Sequence, residues 1–179
     1  MTKDPIGLPE VERVTGKSPA PALVEFVHRL ISAEGPIHEE VFFLHTRKVL
    51  HLKSFTTPKR KLIRAAVEQL AEDGRVAVDG EFFDLPDRPC RYARRPFPGL
   101  TKRTVERVAP AERRTALAGL IHDEPGRPYG EVVADAVRFF GWTAGTPGAK
   151  SALAGDLYRL RDQGRITGWP DSLVGAASS

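Results

Sequence analysis

Residues 90 positions apart share their type or character along much of this chain, and an internal repeat of that length restricts the fold to two copies of one small unit. Leu30-Ile31 returns as Leu120-Ile121, Glu34 as Glu124, and Gly74-Arg75-Val76 as Gly164-Arg165-Ile166. The apolar ladder Ile63, Val67, Leu70 returns as Leu153, Leu157, Leu160. Thr57-Pro58 has its counterpart in Thr146-Pro147, shifted by one because the stretch leading into the second ladder is a residue longer. With 179 residues, the chain holds two units that are each large enough for a small core.

The better marked copy is organised around residues 57–86. Thr57-Pro58 predicts a helix start, since threonine caps free N–H groups and proline fits the first helical turn. Leu62, Ile63, Ala66, Val67 and Leu70 fall on one helical stripe, with Lys61, Arg64 and Glu68 opposite and Lys59 and Arg60 at the leading end. Gly74 ends the helix. Asp79-Gly80 then predicts a tight hairpin turn between Val76-Ala77-Val78 and Glu81-Phe82-Phe83, because both central positions tolerate positive φ.

Upstream, Leu23, Val27, Leu30 and Ile31 mark a first helix that Gly35-Pro36 stops. Ile37-His38 suits one extended step, and residues 39–51 read as a second helix burying some of Val41, Phe42, Leu44, Val49 and Leu50. Three helices followed by a hairpin make a winged helix. In the second copy the helices are predicted over 110–122, 130–141 and 149–163, with a shorter flap near Trp169 and Pro170. The predicted fold is therefore mainly α with small β-hairpins (α+β), a tandem winged helix. Its expected parts are an arm over 1–19, domains over 20–87 and 110–172, a Pro/Arg-rich connector over 88–109, and a tail over 173–179. In the connector, Tyr92 and Phe97 either stack on bases or anchor it to a neighbouring core; paired aromatics in such a segment more often anchor.

A balance of 27 Lys+Arg against 23 Asp+Glu is too small a bias to identify a nucleic-acid binder by itself. Its distribution is more telling. From residue 41 to 67 there is no acid but seven cations: Arg47, Lys48, Lys53, Lys59, Arg60, Lys61 and Arg64. From 88 to 114 there are nine cations (Arg88, Arg91, Arg94, Arg95, Lys102, Arg103, Arg107, Arg113, Arg114) against Glu106 and Glu112. A single cysteine, Cys90, excludes an internal disulfide and a multi-cysteine zinc site. The N-terminus has no signal-peptide core and no apolar run approaches a membrane span, so a cytoplasmic protein with no membrane contact is expected.

Glu34-Gly35-Pro36-Ile37-His38, lying between two helices and followed by Glu39-Glu40-Val41, resembles the signature of an uncharacterised bacterial domain near the C-terminus of large superfamily-one helicases. The likeness covers residues 20–86, and the second copy only in diluted form, where Asp123-Glu124-Pro125-Gly126-Arg127-Pro128-Tyr129 replaces the signature. The resemblance implies a winged-helix domain that binds nucleic acid as accessory to a motor or nuclease. The chain itself contains no motor, so the domain is expected to act alone or to lend its grip to a separate helicase or nuclease.

Enzyme readings fare worse. The run 144–151 ends in Lys150-Ser151 like a phosphate loop, but Ala144 and Ala149 occupy the two required glycine positions and a helix, not a strand, precedes it. His38, His45 and His51 are spaced seven and six apart, which stacks no two of them on one helical face, and no cysteine joins them. His28 and His122 fall on first-helix surfaces. No serine or cysteine sits in a recognisable nucleophile turn. No catalytic residue, metal or cofactor is expected.

The leading expectation is non-enzymatic binding of nucleic acid, foremost double-stranded DNA. Lys59, Arg60, Lys61 and Arg64 would face the major groove while the wing runs along the phosphates, Lys53 and Arg75 would hold flanking phosphates, and Arg91, Arg94 and Arg95 would extend the track. The alternative is a protein-interaction scaffold. Where the first copy presents Lys61, Arg64 and Glu68, the second presents the nearly neutral Ser151, Ala154 and Tyr158. A dimeric transcription regulator ranks third, since no long coiled-coil helix is present. Strand preference, sequence specificity and oligomeric state stay open.

Overall fold

A computed structural model describes residues 19–96 and 103–176. Among them are six α-helices and small antiparallel strand pairs, a mainly helical α+β arrangement divided into two compact units between Arg88 and Pro89. The predicted arm, apart from Pro19, lies outside the described residues, as do Phe97 and Lys102.

In the first unit α1 spans Pro21–Glu34 and buries Leu23, Val24, Phe26, Val27 and Ile31. Proline in its first turn loses no needed donor. A two-residue strand, β1 (Ile37–His38), leads into α2 (Glu39–Val49), and α3 follows over Thr57–Glu72. The N-cap of α3 is Thr56 rather than Thr57, and its hydroxyl makes no capping bond. Ile63, Ala66, Val67 and Leu70 are buried along α3 and pack largely on α1, each large side chain contributing about 1.5–3 kcal/mol by leaving water. At Gly74 the backbone reaches φ 68, a left-handed value that lets the N–H groups of Arg75 and Val76 both bond the Leu70 carbonyl and close the helix.

The hairpin β2 (Ala77–Asp79) and β3 (Phe82–Asp84) turns at Gly80-Glu81, with Gly80 at φ 58; Asp79, expected in the turn, instead ends β2 opposite Phe82, which places the turn one residue later than Asp79-Gly80 predicts. Sheet order is β1-β3-β2, with Ile37 opposite Phe83 and Ala77 opposite Asp84. The buried His38 fastens this sheet to α2. Its Nδ1 accepts from the Glu40 N–H at 3.1 Å and its Nε2 donates to the Glu81 carboxylate at 3.3 Å. The Glu39 N–H adds a bond to the Glu81 carbonyl at 2.7 Å.

Among the described residues one buried side-chain group is unsatisfied. The Thr46 hydroxyl on α2 is buried without a hydrogen-bond partner. Removing an unpaired buried hydroxyl while keeping the branched shape relieves its desolvation cost. Thr46→Val is therefore expected to stabilise the first unit by about 1 kcal/mol, read as an increase in the denaturant midpoint at unchanged slope. A midpoint at or below that of the wild type would show that the hydroxyl is satisfied in solution.

In the second unit, a 3-10 turn (Val105–Arg107) precedes α4 (Pro110–Asp123), α5 (Tyr129–Phe139) and α6 (Ala149–Asp162). Strands β4 (Ile166–Thr167) and β5 (Val174–Gly175) pair antiparallel, and a lone bridge joins Arg127 to Leu173. Two expectations are corrected here. Residues 173–175 are no tail, because Leu173 is fully buried and the residues after it form the returning strand. Nor does a free connector span the described parts of 88–109. Val105 and Val108 enter the core, and the Trp142 indole N–H donates to the Arg103 carbonyl at 2.8 Å.

The physical cause of that second correction is a buried carboxylate. Glu112, only 1% exposed in the first turn of α4, is gripped by Arg94 at 3.0 Å and Arg103 at 2.8 Å, and it also accepts the Arg94 backbone N–H at 2.8 Å. Nearby, Arg113 and Arg114 on α4 converge on the buried Asp156 of α6 at 2.6 and 3.4 Å. Burial pushes the Glu112 carboxyl up, but Arg94 and Arg103 outweigh this and hold it below the usual range. At Asp156 burial prevails over both arginines and its carboxyl is raised.

Candidate nucleic-acid interface

The sequence of α3 divides it electrically. Its first turn carries Lys59, Arg60 and Lys61 and no acid, although cations at a helix N-terminus oppose the macrodipole. Glu68, Glu72 and Asp73 crowd the other end. Sixteen residues make a helix about 24 Å long, more than two Debye lengths of about 8 Å at physiological salt. An approaching polyanion therefore meets the basic end without the acidic one cancelling it.

Around that end, Lys53 and Lys61 are exposed. Arg60 is exposed too, its guanidinium over the Phe43 ring at 4.9 Å and the Phe55 ring at 5.8 Å, which fixes the direction in which it points. Lys59 is half-buried. Arg64 is ion-paired with Glu39 at the start of α2. Glu39 and Phe43 are one helical turn apart and touch Arg64 and Arg60 in turn, so the next residue of that row, Arg47, is directed toward the start of α3. Arg47 and Lys48 are exposed, and with Leu44, His51 and Leu52 they line a shallow hollow of about 440 Å³. Both arose in the basic run of the sequence but not among its candidate site residues. The helix row indicates the direction of Arg47 alone.

The hairpin does not fit its expected role. It carries Asp79, Glu81 and Asp84 and no cation, so it would be repelled by phosphates rather than run along them. Arg75, at its base, is turned back onto Glu25 at 3.0 Å, and this bond, with Arg29 beside it, holds the Glu25 carboxyl below the usual range. The first unit is thus basic at one end of one helix and acidic at the other.

In the second unit most of the basic run 88–114 is spent internally. Arg94 and Arg103 hold Glu112, and Arg113 and Arg114 hold Asp156, so Arg94 serves as a structural clamp. Arg88, which closes the first unit, pairs with Asp84 and donates to the Ser32 carbonyl at 2.7 Å. Arg91 and Arg95 remain exposed. On α6, Ser151 is exposed with its hydroxyl bonded to the Gly148 carbonyl at 3.0 Å, and Ala154 is half-buried. Tyr158 is exposed with its ring against Trp169 at 4.8 Å and beneath Arg161 at 5.1 Å. Trp169 also meets Tyr129 edge-on at 4.9 Å.

The phosphate-loop look-alike is a set of turns that follows a helix, and Gly148 starts α6 at φ 71. His45 lies 3.7 Å from Glu34, and His51 is exposed. Among the described residues no three His, Cys, Asp or Glu side chains are arranged to hold a metal ion. None of the described helices is long and apolar enough to cross a membrane.

Compared with protein-family models, with curated proteins and with solved structures, the chain finds no significant match in any of the three.

Proposed function

We propose that the chain is a tandem winged-helix protein that binds nucleic acid, in the first instance duplex DNA, without itself being an enzyme. The fold reading rests on register. Ile37 pairs with Phe83 as Arg127 bridges to Leu173, and Ala77 pairs with Asp84 as Thr167 pairs with Val174, each 90 residues on. The buried residues follow the same interval: Val27 and Leu117, Phe42 and Val132, Ile63 and Leu153, Leu70 and Leu160.

The observation that carries the function is the basic end of α3, where Lys53, Arg60 and Lys61 stand exposed and the α2 row through Glu39 and Phe43 continues to the exposed Arg47. Cations gathered where they oppose the helix dipole suit a partner that brings the negative charge. The hairpin is left out of the contact because of its acids, and Arg64 takes part only in competition with Glu39. As the resemblance to helicase-associated domains implies, such a grip would serve a motor or nuclease. A gel-retardation series tests this reading. With about six phosphate contacts, duplex affinity should fall on the order of a thousandfold between roughly 50 and 200 mM salt. Binding that ignores salt, or no binding at all, would remove the proposal.

The second reading, a protein-interaction scaffold, draws on the low charge of Ser151, Ala154 and Tyr158 on α6. A co-purifying protein with no salt-dependent DNA shift would favour it.

A further inference from the structure

The strap formed by residues 89–96 carries Tyr92 into solvent on a backbone fastened at both sides. Thr115 Oγ1 donates to the Cys90 carbonyl at 2.9 Å, and the Arg94 N–H donates to Glu112 at 2.8 Å. Arg103 also holds the Arg94 carbonyl at 2.6 Å. Between these anchors Ala93 turns in against the core, while Tyr92 stays 61% exposed. A segment that served only to cover the unit would turn its one large ring inward, where burial is favourable. The anchor reading of Tyr92 is thereby replaced: the strap is anchored by Glu112 and Thr115, and the ring is left over.

Its neighbours are cations. Arg91 and Arg95 are both exposed and pair with no carboxylate among the described residues. Arg95 lies over the Phe139 ring at 5.1 Å, at the rim of a hollow of about 270 Å³ that Arg138 and Asp135 also line. From Pro89 onward the unit has 14 Lys+Arg against 9 Asp+Glu, whereas residues 1–88 have 13 against 14, so the ring stands on the more basic unit.

We propose that this strap is a single-strand site, in which a nucleobase stacks on Tyr92 and its flanking phosphates are held by Arg91 and Arg95. Tyr92 and Arg95 are at most about 11 Å apart along the chain, so a base on the one leaves a neighbouring phosphate within reach of the other. Stacking on an isolated ring needs a base with a free face, which a single strand offers and an intact duplex does not. A protein partner fits less well. The exposed large apolar side chains described in this unit are Tyr92, Tyr158 and Val174, too few for the apolar centre of a stable protein interface.

The inference rests on the nucleic-acid reading above, and the two fail separately. The test is fluorescence anisotropy of the full chain with a labelled oligothymidine and with a labelled duplex, for wild type, Tyr92→Ala and Tyr92→Phe. Tyr92→Ala should weaken oligothymidine binding by about tenfold or more and leave duplex binding within about twofold. Tyr92→Phe, which keeps the ring, should bind both as the wild type does. A 5-iodouracil oligonucleotide should photo-crosslink within residues 89–96. Unchanged oligothymidine binding by Tyr92→Ala, equal losses for both ligands, or a crosslink elsewhere would overturn the inference. Wild type that binds duplex alone would overturn it and spare the duplex reading, whereas binding to neither ligand would remove both.

Discussion

A Lys53→Ala, Lys61→Ala double variant is expected to bind duplex DNA about a hundredfold more weakly than wild type near 0.1 M salt, with a log–log salt slope shallower by about 1.8. Both side chains are exposed and neither has an ion-pair partner among the described residues, so their removal takes two phosphate contacts and little else. Arg60 and Arg64 are poorer probes. Truncating Arg60 uncovers the Phe43 and Phe55 rings, and truncating Arg64 frees the Glu39 carboxylate, so either change mixes packing or repulsion with the lost contact. The measurement is anisotropy titration at four or more salt concentrations, with circular dichroism to establish that the variant is folded. A folded variant with wild-type affinity and slope would mean that the basic end of α3 does not meet DNA.

Glu112→Ala should damage the second unit severely, costing about 3–5 kcal/mol. The carboxylate neutralises Arg94 and Arg103 in a site where it is nearly inaccessible, and its loss leaves both guanidinium groups half-buried beside each other. The strap and the 3-10 turn lose their common anchor, so trypsin cleavage after Arg91 and Arg94 should accelerate, whereas Pro96 protects the bond after Arg95. Acid should act through the same group. Because the folded carboxyl lies below its ordinary value, its contribution is complete above about pH 4.3 and is lost as pH falls toward the lowered value. Asp156 works in the opposite sense: its raised carboxyl binds the proton more readily in the folded state, so stability falls as pH rises from the ordinary aspartate value to the raised one. Glu112→Gln should therefore lack part of the wild-type loss in acid. Denaturant titrations between about pH 3 and pH 7, spanning the ordinary carboxyl range, would reveal this, and equal acid loss in both proteins would contradict the assignment to Glu112.

Much of the helical frame was legible because it depends on local periodicity. The stripe Ile63, Ala66, Val67, Leu70 needs only its own spacing to find a buried face, and Gly74 and Gly80 mark a stop and a turn through backbone conformations that side chains disfavour. The basic run 88–114 was not legible in this way. Where α1 has Ala22, Leu23 and Val24, α4 has Glu112, Arg113 and Arg114, and α6 has Asp156 where α3 has Ala66. Charges that read as a solvated or phosphate-facing stretch instead close on one another inside the unit. The pairs responsible are 18 and 43 residues apart, beyond the reach of any periodic pattern.

The helices, their stops, the glycine of the hairpin turn and the ninety-residue interval are local properties of the chain, since each follows from the spacing of apolar side chains or the freedom of a glycine a few residues away. Which cations are free was settled by contacts between distant segments. A guanidinium is available to a phosphate when no carboxylate has been folded against it, and that depends on distant segments: Glu39 reaches Arg64, Glu25 reaches Arg75, and Glu112 reaches Arg94, while Lys53, Lys61, Arg91 and Arg95 are left to the solvent.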